Sequence, residues 1–407
     1  MSFSSLNSRN INLDLARSFA ICSIVLCHCT EFTYQLTQES WSTSSTLSQY
    51  VRTILFTLGR LGVPIFLMLS GFLLLQRHKM NNFDDYKVFI KRKWFPLLIC
   101  SQVWIIIYYI YNLFFNVEIW SFKNLISQLM FFSLPRVPHW WYIPMIIGIY
   151  LLIPLIKYLN DKLSSKFIIA WFSLSFLTVI ILPALKLNLK VDLSYLGDCY
   201  VFCVLLGYIT LLIHDKKIEL KRILLQIKSE IIKDHIVNPI YQKLGLQYRR
   251  NTEKNPDRYG LSQRNQKLAY MLGGGVIILI LFIAFFSITI TQQINAYKKG
   301  NGYNVWYNAP FLILSSSSLF VFFNFIKING LPKLLKLLMS SISICSFGIY
   351  LVHCFFLFLF APVIKKIGWP LSLSCVVLFL AVFLFSYIFV FFTSKTIIGR
   401  LYLIKNK

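Results

Sequence analysis

An all-α integral membrane protein is the fold class this sequence predicts, on three observations. The 407 residues are 57% hydrophobic and only 14% charged, a profile too apolar for a water-soluble globule. Ten apolar stretches of about twenty residues each, the length that crosses a bilayer, recur along the chain. The basic residues between them fall unequally on alternate loops, as they do in polytopic proteins.

The first stretch, INLDLARSFAICSIVLCHCTEFTY from Ile11 to Tyr34, sets the pattern for the rest. Its apolar run is interrupted by Asp14, Arg17, His28 and Glu31. Arg17 and His28 lie three helical turns apart, or about 16 Å of rise, on one face. Asp14 and Glu31 extend the same stripe by a turn at either end. Ionisable groups within a span are costly to desolvate, so the stripe is expected to face the protein interior or a wet cavity. Snorkelling at the span's ends would explain Arg17 or Glu31 alone, but explains His28 poorly.

Spans are expected near 12–33, 54–76, 95–115, 139–158, 167–186, 196–214, 268–291, 306–327, 341–362 and 370–393. With the N-terminus inside, and Lys157, Lys186 and Lys327 at span ends counted with the loops they adjoin, cytoplasmic segments hold 30 of the 41 Lys and Arg and external segments hold 9. Arg17 and Arg60 fall within spans. The positive-inside rule therefore places both termini in the cytoplasm, and still does with the long basic loop left out. No cleavable signal peptide is expected, because the first apolar segment lacks a small-residue cleavage site. A net charge of +26 would suggest nucleic acid in a soluble protein. Here the charges sit in loops beside membrane, so anionic lipid is the expected partner and nucleic acid is not. Most of the nine cysteines lie inside apolar segments, and no disulfide framework is implied.

The first external loop, 34–53, is rich in Ser and Thr and is expected to be solvated surface. Span two carries Arg60 at about the depth of His28, then GVPIFLMLSGFLLL, in which Ser70 and Gly71 allow close helix approach. The 77–94 loop bears Lys91, Arg92 and Lys93 within KRKWFP, a cluster that suits lipid phosphates or those of a soluble donor. Residues 121–135 read as an interfacial segment. His139, Trp140, Trp141 and Tyr142 then stand at the mouth of span four, either as an interfacial aromatic belt or as a platform for a sugar. Asp198 adds a carboxylate at the start of span six. Residues 215–267 form a basic cytoplasmic insertion in an otherwise single membrane domain (1–407). Its Leu220, Leu224, Ile227 and Ile231 recur at helical spacing, and its second half reads as flexible loop. Gly273, Gly274 and Gly275 suggest a close helix crossing or a local distortion. His353 falls in the outer half of span nine, and span ten reads as scaffold.

On this topology His28, Glu31, Arg60, His139, Asp198 and His353 share the external half, whereas Arg17 and the 77–93 loop share the cytoplasmic half. One end suits acid–base chemistry and the other an anion. Histidine can take a proton from an alcohol near neutral pH. A carboxylate would orient the ring, and an arginine could stabilise a developing oxyanion. A proton-coupled transporter would need similar groups in its bundle. A metal on Cys27, His28, Cys29, His353 and Cys354 is not expected, because adjacent helical residues point about 100° apart. Neither a G-x-S-x-G elbow nor a P-loop is present.

Four blocks resemble acyltransferase family 3 of membrane proteins. LDLARSFAICSIVLCH is similar to that family's first-span Arg-to-His signature, and GVPIFLMLSGFLLL to its second-span block. HWWYIPMIIGIYLLIPLI and SFGIYLVH are similar to two further blocks, in the same order. Within the family the chain looks most like O-acetyltransferases of bacterial surface polysaccharides, including the enterobacterial common antigen type. The resemblance implies acetyl-CoA as cytoplasmic donor, a saccharide hydroxyl as acceptor, and the bacterial inner membrane. It makes His28 the catalytic histidine and Arg17 its partner. The family's Arg-x-x-Arg motif is matched only loosely, by Lys91, Arg92 and Lys93. No counterpart to the extracytoplasmic domain fused to some relatives is expected, so transfer is expected to be direct or to need a separate protein. The reading is an O-acetyltransferase, with Arg60, His139, Trp140, Trp141, Asp198, Glu31 and His353 as acceptor-side candidates. The alternative is a glycan flippase or proton-coupled exporter using the same cavity.

Overall fold

The computed structural model describes residues 10–77, 82–163, 165–185, 198–214, 256–302, 305–326 and 330–396. Among these every regular element is helical, as a bilayer requires of a chain whose backbone polar groups must be satisfied within each segment. Among the described residues, eight helices are long and apolar enough to cross a membrane. Two shorter apolar helices, Cys199–Ile213 and Pro310–Asn324, fall where spans six and eight are expected.

Helix α1 (Ile11–Tyr34) is the centre of the bundle. Asn10 caps it by accepting from the Asn12 and Leu13 amides, which satisfies two of the four donors left open at a helix start. It is followed by α2 (Gln38–Ser42), α3 (Thr46–Arg60) and α4 (Gly62–Arg77). The loop expected over 34–53 is thus largely helical, and α3 and α4 join into one long kinked span. Helix α1 packs on α3 and α4, and also on α13 (Pro310–Phe325), α14 (Lys333–Ile367) and α15 (Leu371–Thr393). With partners on all sides it is apolar nearly all round, and its polar residues must be paired within protein. Asp14 shows this, accepting from the hydroxyls of Ser340 at 2.8 Å and Ser343 at 2.7 Å on α14.

Two glycines set the approach of α3 and α4 to α1. A Cβ on Gly59 would stand 2.6 Å from the Cys27 backbone, and one on Gly62 would stand 2.5 Å from the Ala20 carbonyl oxygen. A second crossing joins α4 to α11 (Cys199–His214). There Gly71 faces the Val204 carbonyl and Gly207 faces the Met68 carbonyl, leaving room for no side chain.

The basic segment before span three is helix, not loop. Helix α5 (Phe83–Phe89) runs through a π turn (Ile90–Trp94) into α6 (Phe95–Phe114). The Phe95 amide reaches back to the Ile90 carbonyl. Pro96 lacks the amide that would bond the Arg92 carbonyl, and widening the preceding turn relieves that mismatch. A second π turn (Leu177–Ile181) likewise precedes Pro183, between α9 (Ser165–Phe176) and the short α10 (Leu182–Ala184). The interfacial segment contains α7 (Phe122–Leu129), with exposed Phe122 and Ile126 on its surface. It leads to α8 (Tyr142–Leu163).

The stretch up to Lys267, expected as loop, is helical from Pro256 onward, the start of α12 (Pro256–Lys298). Gly275 lies within this unbroken helix with nothing within 4 Å of a Cβ added there, so it marks no close crossing. The amphipathic pattern at Leu220–Ile231 lies outside the described residues, as do 1–9.

Candidate active site

Near the C-terminal end of α1 the His28 imidazole meets two other histidine rings. His353 on α14 stacks on it with ring centres 5.4 Å apart, and His139 stands edge-on at 6.2 Å. His139 and His353 are 4.7 Å apart. Two helices and the turn before a third, distant in sequence, therefore converge on one buried cluster.

Glu31 orients His28. Its Oε2 lies 2.6 Å from Nδ1 of His28, one turn earlier on α1, and its Oε1 accepts from Arg60 Nη2 at 3.2 Å. Carboxylate at Nδ1 keeps the proton there and leaves Nε2 as the basic nitrogen. The Arg60 guanidinium is buried against the rings of Phe56, Trp306 and Tyr307, 4.6 to 4.9 Å from their centres. The aromatic faces and Glu31 together compensate a cation that burial alone would make costly.

His139 comes from the tight turn before α8 and is fully buried. Its carbonyl accepts from the Tyr350 hydroxyl. Its Nδ1 lies 3.0 Å from Cys354 Sγ, and its Nε2 has no partner among the described residues. His353 directs Nδ1 at the Tyr350 carbonyl, 2.7 Å away. That contact places the ring's proton on Nδ1 and leaves Nε2 an acceptor, 3.5 Å from Cys354 Sγ. Donor atoms of His139, His353 and Cys354 all lie within 4.8 Å of one another. The spacing argument against neighbours converging therefore fails for His353 and Cys354. The imidazole is long enough to swing its far nitrogen toward the adjacent sulfur, and His139 meets both from the turn before α8. Met-like thioethers and carboxylates are absent from this trio, and its closest pair, Cys354 with His139, has hydrogen-bond geometry.

The rings enclose a cavity of about 10 Å³, lined by His28, His139, Trp141, Tyr142, Tyr307 and Tyr350. That admits roughly one water molecule, or one hydroxyl.

Other expected site residues lie elsewhere. Trp140 is fully buried against Tyr108 and His139, so it is core and presents no face to a sugar. Trp141 does reach the cavity and packs on Tyr200, Trp306 and Tyr307. Asp198 is exposed at the start of α11, where its side chain accepts from the Cys199 amide. It is not in the histidine cluster, because a start-of-helix carboxylate is taken up by the orphan amides beside it. Arg17 is half-buried on α1, about 16 Å of helix from His28, within electrostatic reach of Tyr150 on α8. The carboxylate that bonds His28 is thus that of Glu31, itself held by Arg60, and Arg17 stands about three turns away on the same helix. Lys91 and Arg92 are exposed on the π turn, and Lys93 is half-buried. Trp306, Tyr307 and Tyr350 were not singled out from sequence, and Cys354 only as a member of the metal-ligand set that was set aside. Only SFGIYLVHC, where Tyr350 and Cys354 flank His353 at helical spacing, carried a signal for any of them.

The acyltransferase domain model of family 3 matches residues 10–394 of this chain. The chain belongs to acyltransferase family 3. The acyltransferase is thereby a multi-pass membrane enzyme, and the match runs from the α1 cap through α15. No curated protein and no solved structure matched it.

Proposed function

We propose that this acyltransferase moves an acetyl group from acetyl-CoA to a hydroxyl of a bacterial cell-surface glycan or its lipid-linked precursor, in the inner membrane. The observation that carries the reading is His28, set by Glu31 so that Nε2 is basic, at a cavity sized for a single hydroxyl. The acceptor hydroxyl enters between His28 and His139. As its oxygen bonds to the acetyl carbonyl carbon, His28 Nε2 takes its proton. Glu31 stabilises the imidazolium that forms, and Arg60 holds Glu31 in place. His139 Nε2, buried without a partner, is placed to bond the reacting oxygen. The tetrahedral intermediate then collapses, the bond to sulfur breaks, and His28 returns the proton to the CoA thiolate.

The donor docks at the opposite end of α1. Lys91, Arg92 and Lys93 hold its phosphates, and Arg17 lies on the path along which the thioester arm reaches about 16 Å to His28. The rest of the sugar rests outside the cavity on half-exposed Trp306 and its neighbour Trp141. Acetyl-CoA should raise the unfolding temperature of the purified protein, at hundredfold saturation by the equivalent of about 2.7 kcal/mol. Desulfo-acetyl-CoA lacking the thioester should do the same, and Lys91→Ala with Arg92→Ala should weaken both. No protection by either compound would contradict the donor assignment and favour transport.

A further inference from the structure

A second cavity, far larger at about 960 Å³, opens between α6, α14 and α15. Its walls are Trp104, Tyr111, Phe115, Phe355, Leu359 and similar side chains, nearly all apolar. From Trp104 to Phe115 it follows eleven residues of α6, about 16 Å, or roughly half the thickness of a bilayer's hydrocarbon core. Besides the Trp104 indole nitrogen and the Tyr111 hydroxyl, two strongly polar side chains break the apolar lining, and both lie toward the His28 end. Arg136 is exposed at the mouth, bonding the Val117 carbonyl through Nη1 at 2.8 Å. Asn112 is 1% exposed, and its side-chain nitrogen has no partner among the described residues. An amide donor left open inside an apolar groove is costly unless a ligand supplies an acceptor.

Groove and active site are neighbours. Phe355 on the groove wall packs on Tyr108, with ring centres 5.1 Å apart, and Tyr108 packs on His139 at 5.7 Å. One short segment before α8 carries Arg136 on the groove and, three residues on, His139 in the histidine cluster. An amphiphile with its charged linkage at Arg136 would therefore lay its head group beside Trp141 and the small cavity.

We propose that the acceptor is a saccharide carried on a single long-chain lipid phosphate, whose chain occupies this groove and whose phosphate bonds Arg136 and Asn112. The proposal rests on the acetyltransferase reading and narrows it from glycan in general to a membrane-held glycan. An arginine in an otherwise apolar groove selects an anion on a long apolar tail, and a free polysaccharide would leave the groove without purpose.

The test uses the full chain in phosphatidylcholine nanodiscs without acetyl-CoA, and a polyprenyl phosphate bearing a photoreactive group in its tail. Cross-links are expected in residues 104–115 and 352–362, competed by unlabelled polyprenyl phosphate but not by phosphatidylglycerol. Arg136→Ala and Asn112→Leu should each reduce labelling about tenfold, the loss of one charge-assisted bond. Leu359→Trp fills the groove from a position 58% exposed, so it tests occupancy even if an Asn112 variant fails to fold. Labelling spread evenly over the lipid-facing helices, or competed equally by phosphatidylglycerol, would overturn the proposal. Equal acetylation of lipid-linked and lipid-free saccharide, with no groove labelling, would overturn it while leaving the acetyltransferase reading intact. Specific groove labelling by a protein that transfers no acetyl group would do the reverse.

Discussion

Glu31 is the residue on which the chemistry of His28 turns. Its carboxylate bridges Nδ1 of His28 and the guanidinium of Arg60, so it fixes both the ring's tautomer and its rotation. Glu31→Gln keeps the shape but can present its amide nitrogen to the ring, which drives the proton to Nε2 and removes the base. Transfer in proteoliposomes should fall by roughly a hundred- to ten-thousand-fold in kcat with little change in KM for acetyl-CoA. An unchanged kcat would show that Glu31 serves packing alone. The stripe of Asp14, Arg17, His28 and Glu31 was legible in the sequence because helical period alone places those residues on one face. What Asp14 bonds was not: its serine partners at 340 and 343 lie over three hundred residues away. Trp140 and Trp141 read alike as sequence neighbours, yet the turn before α8 sends one into the core and the other to the cavity.

At the scale of elements, small residues govern where α3 and α4 can stand. Gly59 and Gly71 both touch a neighbouring backbone, but only Gly59 lies beside the site, one residue before Arg60 and against Cys27. Gly71→Ala at the α4–α11 crossing should lower stability by about 1–3 kcal/mol, measured as a fall in unfolding temperature, with kcat of the folded fraction kept. Gly59→Ala should lower kcat as well, because displacing α3 carries Arg60 away from Glu31. Equal kcat for the two variants would detach the crossing from catalysis. Span positions were readable from hydropathy. The helical course of α3 and of α5 was not, because polar or basic residues on one face of a helix resemble a loop when counted without their period. The π turns escaped for a different reason. A proline marks a break in the hydrogen-bond ladder, but not whether the chain ends its helix or widens one turn.

For the whole molecule, charge and fold point the same way. On the orientation proposed from the excess of Lys and Arg in alternate segments, Lys91–Lys93 would face inside and the histidine cluster the outer face, with the proposed donor and acceptor on opposite sides of one bundle. Eight of the nine cysteines are buried and Cys22 is half-buried, so introduced cysteines report topology against a low background. Thr43→Cys should react with a membrane-impermeant maleimide in intact cells, and Asp84→Cys only after permeabilisation. The reverse pattern would invert the bundle and put the cavity on the side of the donor. The convergence of His28, His139 and His353 belongs to this scale too, which is why sequence gave their common depth but not their contact.

The most direct test of the central claim is acetyl transfer by the purified full chain in proteoliposomes, followed with radiolabelled acetyl-CoA and a surface-glycan acceptor. Wild type should move label into the glycan. His28→Ala should retain the unfolding transition and the protection by acetyl-CoA yet lose transfer by at least about a hundredfold. Transfer surviving in that variant at near wild-type rate would contradict His28 as the base and with it the mechanism built on Glu31 and Arg60.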